Sequence, residues 1–311
     1  MSETIVLNKT NIVHYSNSKL EYKFPSPMEF SDGDEIAMTS CNLYKSIYNI
    51  SASQKNNKFN YYWFDEFGTI DMNTPFTIIL PDGYYSVNTI YEMFQKHMVE
   101  NGHYLQLKTG GSFIYLFELI INTTFYSVEL RANTCAKFFN FNSSGTERVF
   151  DEIDPISGDV LLGVAKTPTS SWRLPDVFAS PVFEITPDQS LFGDLIGFEP
   201  QIIQSPSGIQ TTYARLSSRT PQMESTSSLI IKSNLVKNQL SLPNNVIHSF
   251  PMPSAAFGEQ FNGVSEYVYS KISPGHYTHM TIEIVNQLYE SVDIRDDNML
   301  LTFSIKRKPV S

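Results

Sequence analysis

Two histidines three residues apart, His276 and His279 in "SPGHYTHMTIEIV", stand out in a chain that has only six. On a helix that spacing brings two imidazoles to one metal ion or one reacting atom. Pro274-Gly275 and the β-branched residues after them instead predict a turn entering a strand, where residues i and i+3 point to opposite faces. By the parity of the following residues, His279 joins Thr281 and Glu283 on the polar face and His276 belongs to the turn, so a shared site is not expected. Cys41 falls in a strand candidate beside Met38, Leu43 and Tyr44, which predicts a buried and inert thiol. Cys135 lies far from it, and neither cysteine sits in a C-x-x-C arrangement, so neither a disulfide framework nor a thiolate zinc knuckle is expected. Acidic residues gather at Asp151, Glu152, Asp154 and Asp159 and again at Asp293, Asp296 and Asp297, without the spacing or central glycine of a calcium loop; solvated turns are the expectation. "KTGGS", Lys108 to Ser112, orders its lysine and glycines wrongly for a phosphate cradle and predicts a tight hairpin. There is no G-x-S-x-G, H-E-x-x-H, Walker loop or dinucleotide fingerprint. These residues nominate no catalytic, cofactor-binding or metal-ligating position and no cofactor, and the expectation is a protein that is not an enzyme.

The elements that would position any site are mostly strands. Apolar and charged residues alternate over Leu20 to Phe24, and Pro25-Ser26-Pro27 predicts the stop. A β-type run from Glu35 to Ile50 follows the Asp32-Gly33 turn, then come Phe59 to Phe64 and Phe76 to Leu80, the latter closed by Pro81-Asp82-Gly83. Ser86 opens the clearest helix, with Val87, Ile90, Tyr91, Phe94 and Met98 on one face and Gly102 as the stop. Phe113 to Ile121 and Phe125 to Leu130 return to strand character. At the C-terminal end Met280, Ile282 and Ile284 alternate with polar residues, as do Met299, Leu301, Phe303 and Ile305. Two stretches, Tyr126 to Phe141 and Pro181 to Phe198, each predict a strand running into a short apolar turn of helix. In the second, Thr186, Pro187 and Gln189 fit a capping box. Between about Asn140 and Met223 the chain is rich in Ser, Pro, Gly, Asp and Thr, too long for a structureless loop, and reads as an inserted β-rich domain.

Composition bounds the function. Net charge is −10 and charged residues are only 17% against 41% hydrophobic. The basic residues are scattered except for Lys306, Arg307 and Lys308, so direct sequence-specific nucleic-acid binding is not expected; that short tail reads as a solvated end or a contact for an acidic partner. The N-terminus lacks the apolar core of a signal peptide. The longest apolar candidate, Phe113 to Ile121, is broken by Glu118, so no transmembrane segment is expected. A soluble, unsecreted chain in a reducing compartment is the expectation.

The C-terminal block "SEYVYSKISPGHYTHMTIEIVNQLYESVDIRDDNMLLTFSIKRK" resembles the end of the single jelly-roll penton (minor capsid) proteins of virophages and polinton-like viruses. The shared features are a Pro-Gly-x-Tyr turn, an alternating strand, an acidic loop and a last strand closing in basic residues. "LPDGYYSVNTIYEMF", Leu80 to Phe94, is similar to that family's strand, Gly-x-Tyr turn and helix. Asp194-Leu-Ile-Gly-Phe198 is similar to its Leu-Gly-Phe element, and "SSLIIKSNLV", Ser227 to Val236, to the strand that re-enters the jelly roll. The resemblance implies an all-β fold: a single jelly-roll β-sandwich of about eight antiparallel strands with a β-rich insertion and one or two short helices. Residues 1–138 and 225–311 would form the jelly roll and 139–224 an insertion projecting outward. It further implies a homopentamer at the fivefold vertices of an icosahedral virion, set among double jelly-roll major capsid proteins and assembled in the host cytoplasm. The insertion would be where a host receptor or vertex-associated protein binds. The alternatives are a carbohydrate- or receptor-binding β-sandwich module and a cupin-type metal protein.

Overall fold

The computed structural model describes residues 2–16, 18–107, 113–135, 138–140, 147–149, 161–164, 172, 175, 177–204, 212–224 and 226–308. They form two compact units, one from residues 1–48 and 226–311 and one from residues 49–225.

The first unit contains eight principal strands: β1 (Ser2–Leu7), β2 (Lys19–Phe30), β3 (Glu35–Tyr44), β4 (Ser228–Ser233), β5 (Val246–Pro251), β6 (Gln260–Asn262), β7 (Gly275–Asn286) and β8 (Leu300–Lys306). Each of their pairings is antiparallel, and they make two sheets in the orders β1-β8-β3-β6 and β2-β7-β4-β5. First strand beside last, second beside seventh and third beside eighth is the strand order of a jelly roll, two Greek keys folded into facing sheets. His14–Ser16 adds to the edge of β2, and Ser270–Lys271 pairs with the start of β3.

Alternation explains the sandwich. Leu301, Phe303 and Ile305 of β8 are buried while Thr302 and Ser304 between them are half-exposed. Met280, Ile282 and Ile284 of β7 and Leu229 and Ile231 of β4 meet them in one apolar core with Leu20, Phe24 and Phe30 of β2. Each such side chain contributes about 1.5–3 kcal/mol on burial. Pro25 and Pro27 do not end β2, as the sequence predicts; the strand runs through them to Phe30. Proline has no N–H to donate, so the ladder to β7 lapses there, and the register jumps from Met28↔Tyr277 to Lys23↔His279.

The second unit has its own apolar core, built around Phe59, Tyr61, Phe94, Phe117, Phe183 and Phe192. Strands Gln201–Ile203, Val182–Ile185, Lys58–Tyr62 and Phe76–Ile79 form one antiparallel sheet in that order, and Tyr213–Leu216, Ser127–Ala132 and Phe117–Asn122 form another. Helix α1 (Val87–Glu100) starts at Ser86, whose hydroxyl accepts from Thr89 N while the Thr89 hydroxyl accepts from Ser86 N. It buries Val87, Ile90, Phe94 and Met98, and Tyr91 donates to the Phe117 carbonyl. Helix α2 (Ser190–Ile196) follows the capping box at Thr186 and Gln189 and ends at Gly197, φ +80°.

Three expectations change here. The break between units falls at Tyr48/Asn49, not at residues 138/139, while the return at 225/226 lies one residue from the expected 224/225. Strands Lys58–Tyr62 and Phe76–Ile79 read as the jelly roll's own meander, yet they pair with Val182–Ile185; an alternating pattern specifies a buried face and not which sheet supplies the neighbour. Where a helical turn is predicted before Phe141 there is a strand, Phe138–Asn140 paired with Glu147–Val149.

Candidate functional site

In the first unit, strand order gathers connections at two ends. One end holds the β1–β2, β5–β6 and β7–β8 loops together with the points where the chain leaves at Tyr48 and returns at Thr226. Lys9 pairs with Asp297 at 2.7 Å, Tyr44 N donates to Asp296, and Arg295 N donates to the Ser46 hydroxyl. Lys45 N donates to the Glu259 carbonyl and Ser227 N to Gln287. The Tyr48 ring is stacked on Phe257, with the Arg295 guanidinium 4.3 Å from its centroid. Asp293, Asp296 and Asp297 are thus spread over three different partners: Asp293 takes Arg295, Asp296 takes backbone amides and Asp297 takes Lys9. The other acidic group, Asp151 to Asp159, and "KTGGS" lie outside the described residues. Among the described residues no group of three or more His, Cys, Asp or Glu is placed to hold a metal ion.

The opposite end settles the basic tail. Asp34, nearly buried between β2 and β3, accepts from Ser31 N, Lys308 N and Arg307 Nη1 at 2.9–3.1 Å. Arg307 also donates to the Glu29 carbonyl, lies 3.6 Å from Glu3 and covers the Phe30 ring. Burial alone would raise the Asp34 pKa, but those hydrogen bonds outweigh it and hold the carboxyl below its usual value. The tail is neither a solvated end nor a free basic patch; it fastens β8 to β1 and the β2–β3 turn.

The histidines land on β7, where His276 opposes Glu29 and His279 opposes Lys23. His279 is exposed on the polar face with Thr281 and Glu283, as the parity predicts, whereas His276 lies within the strand and not in the turn; beyond the register shift between Tyr277 and His279 it is exposed as well, 3.8 Å from Glu29. Cys41 and Cys135 are fully buried, and desolvation pushes Cys41 up to about 12 and Cys135 in the same direction.

The Gly-x-Tyr segments have a common physical basis. Tyr277 donates to the Ser273 carbonyl and Tyr85 to the Pro81 carbonyl, each four residues back, so the ring folds over the intervening glycine. A β-carbon on Gly83 would stand 2.8 Å from the Tyr85 ring, and one on Gly275 3.6 Å from Tyr277. These motifs are turn-closing devices.

A feature the sequence left unmarked lies in the second unit. A pocket of about 550 Å³ is lined by Trp63, Phe64, Asp65, Glu66, Asp71, Thr74, Phe76, Asn101, His103 and Trp172. Strand Lys58–Tyr62 leads into Trp63 and Phe64, the following turns deliver the carboxylates, and the residues just past α1 deliver Asn101, its C-cap, and His103. His103 stacks on Trp63 (centroids 4.9 Å apart, planes at 9°), shares a 2.9 Å hydrogen bond with the Tyr61 hydroxyl and meets Phe76 edge-on. Desolvation lowers its pKa to about 3, so the imidazole is neutral. Trp172 crosses Trp63 at 87° and donates to the Gly102 carbonyl. Among the described residues the buried Trp63 Nε1–H has no acceptor. At the mouth, Asp65 is held ionised by the Thr69 hydroxyl and by the amides of Thr69 and Phe67, and Asp71 by Asn73 N and the Thr74 hydroxyl. No residue of this set repeats at a motif spacing, because turns and a helix end bring it together.

No protein-family model matches the chain, and no curated protein matches it in sequence. Among solved structures it is similar to the crystal structure of the selenomethionine-labelled mavirus penton protein, with 10% identity, 99% of each chain covered and a TM-score of 0.44. No helix among the described residues is long and apolar enough to cross a membrane.

Proposed function

We propose that the chain is a structural capsid protein that forms the homopentameric penton at the fivefold vertices of an icosahedral virion, assembled in the host cytoplasm. The observation that carries this reading is the strand order of the first unit, β1-β8-β3-β6 facing β2-β7-β4-β5, with a whole second unit spliced between β3 and β4. Jelly rolls serve capsids, lectins and cupins, so the order alone does not choose among them. Two further features favour the capsid. The space between the sheets is filled by apolar side chains, where a cupin needs a ligand set around a metal. The Pro274-Gly275-x-Tyr277 turn and the Leu80 to Phe94 segment, which resemble the penton family, are structural devices suited to a protein whose work is geometry.

A closed fivefold ring requires a heterologous interface, one patch meeting a different patch, of order 2,000 Å² when permanent. Leu240 and Leu242, 98% and 89% exposed between β4 and β5, and Val268, 74% exposed between β6 and β7, are the apolar side chains we assign to that ring contact. The double jelly-roll major capsid protein is the proposed neighbour, and the second unit the proposed carrier of receptor or vertex-associated contacts. Native mass spectrometry of the purified chain tests the proposal: a pentamer supports it, and a monomer that never joins a capsid with its major capsid protein overturns it.

A further inference from the structure

We infer that the pocket at Trp63 binds a neutral carbohydrate, taking one or two hexose-sized units. The inference rests on the pocket alone and holds whether or not the chain forms pentamers. The cavity is within the usual span for small-ligand sites, about 300–1,000 Å³, and its lining divides into an apolar floor and a polar mouth. The floor is Trp63, Phe64, His103 and Trp172, all nine-tenths buried or more; the mouth is Asp65, Glu66, Asp71, Thr74 and Asn101.

The rings decide between ligand classes. An organic cation needs an open aromatic face within about 6 Å of its charge. Here Trp63 and His103 are buried and stacked on each other, with Phe64 and Trp172 packed against Trp63, so these rings form a closed floor and not an open cage. Among the described aromatic residues of the lining, Phe76 is the exposed one, 36% accessible, stacked on Tyr61 and touching His103. A single platform beside hydrogen-bonding groups suits the C–H face of a sugar ring, which is apolar, with hydroxyls around its edge. Those hydroxyls donate to Asp65 and Asp71. Each of these carboxylates is fixed in orientation by its own turn, and each has acceptor capacity left after three hydrogen bonds. Among the described residues no lysine or arginine lines the pocket, and Asp65, Glu66 and Asp71 repel anions, so sialylated and sulfated glycans are disfavoured.

The chain has two tryptophans, Trp63 and Trp172, and both line this pocket, so intrinsic fluorescence reports on it directly. The experiment is a glycan array probed with the full chain, followed by fluorescence titration with the retained sugars. Neutral oligosaccharides are expected to be retained and to change the tryptophan emission saturably, with anionic glycans at background. Asp71→Asn removes a charged acceptor and should weaken binding about tenfold. Glu66→Gln, on an exposed side chain, should weaken it less and leave the fold untouched. Retention unchanged in both variants and in Phe76→Ala overturns the inference. So does binding confined to a lysine-rich peptide, or no emission change with any neutral sugar.

Discussion

Lowering the pH from 7 to 5 should destabilise the second unit through His103. The folded form holds this imidazole neutral down to about pH 3 because burial against Trp63 and Phe76 penalises the charge. The unfolded chain protonates it near pH 6.5. Stability from this residue is therefore complete above about 6.5 and falls as the pH drops below it, at about 1.4 kcal/mol per pH unit until about pH 3. Between pH 7 and 5 the loss is about 2 kcal/mol. The nearby carboxylates Asp65 and Asp71 have lowered pKa values, and their own contribution is present above the usual carboxylate range and lost only in stronger acid. His248, also lowered by burial, sits in the first unit, which has no tryptophan. Urea unfolding at pH 7, 6 and 5, followed by tryptophan fluorescence, isolates the second unit. His103→Gln, neutral at every pH, should lose about 2 kcal/mol of that pH sensitivity. Equal pH dependence in the variant and the parent chain would refute the assignment.

Other substitutions test the frame. Asp34→Ala takes one carboxylate from Arg307, leaves two backbone amides without their acceptor and should cost about 3 kcal/mol in chemical denaturation. Because the Asp34 pKa is depressed, its contribution is present above about pH 4 and lost as the pH falls through the folded value. Gly197→Ala should destabilise the second unit by about 2 kcal/mol or more, because φ is +80° and a β-carbon would collide with the Arg219 carbonyl oxygen; unaltered urea unfolding would contradict it. Cys41 and Cys135 should resist a thiol reagent at pH 8 in the folded protein and react, two per chain, in denaturant.

The sequence reading reached the elements more readily than their partners. Helix α1 was legible from its cap and apolar face, and β7 and β8 from their period-two alternation, because each signal is local. The break at Tyr48 was not, since the strands on either side of it alternate alike and only distant pairing assigns them to different sheets. Strand parity placed His279 on the polar face but did not carry across the register shift to His276, because Pro25 and Pro27 on the neighbouring strand dislocate the ladder; the two prolines were visible, but their pairing partner was not. Arg307 read as a loose basic end although three carboxylate-bearing or carbonyl partners wait for it on β1, β2 and the turn after β2. The Trp63 pocket draws on residues from 63 to 172, and no local pattern announces such a convergence.

The central claim is that this jelly roll closes into a ring of five. Native mass spectrometry of the purified chain beside a Leu240→Asp/Leu242→Asp variant addresses it most directly. The account predicts five copies for the parent chain and a shift toward monomer for the variant, whose exposed positions bear no load in the fold of one chain. A parent chain that stays monomeric at every concentration and never enters a capsid would contradict it.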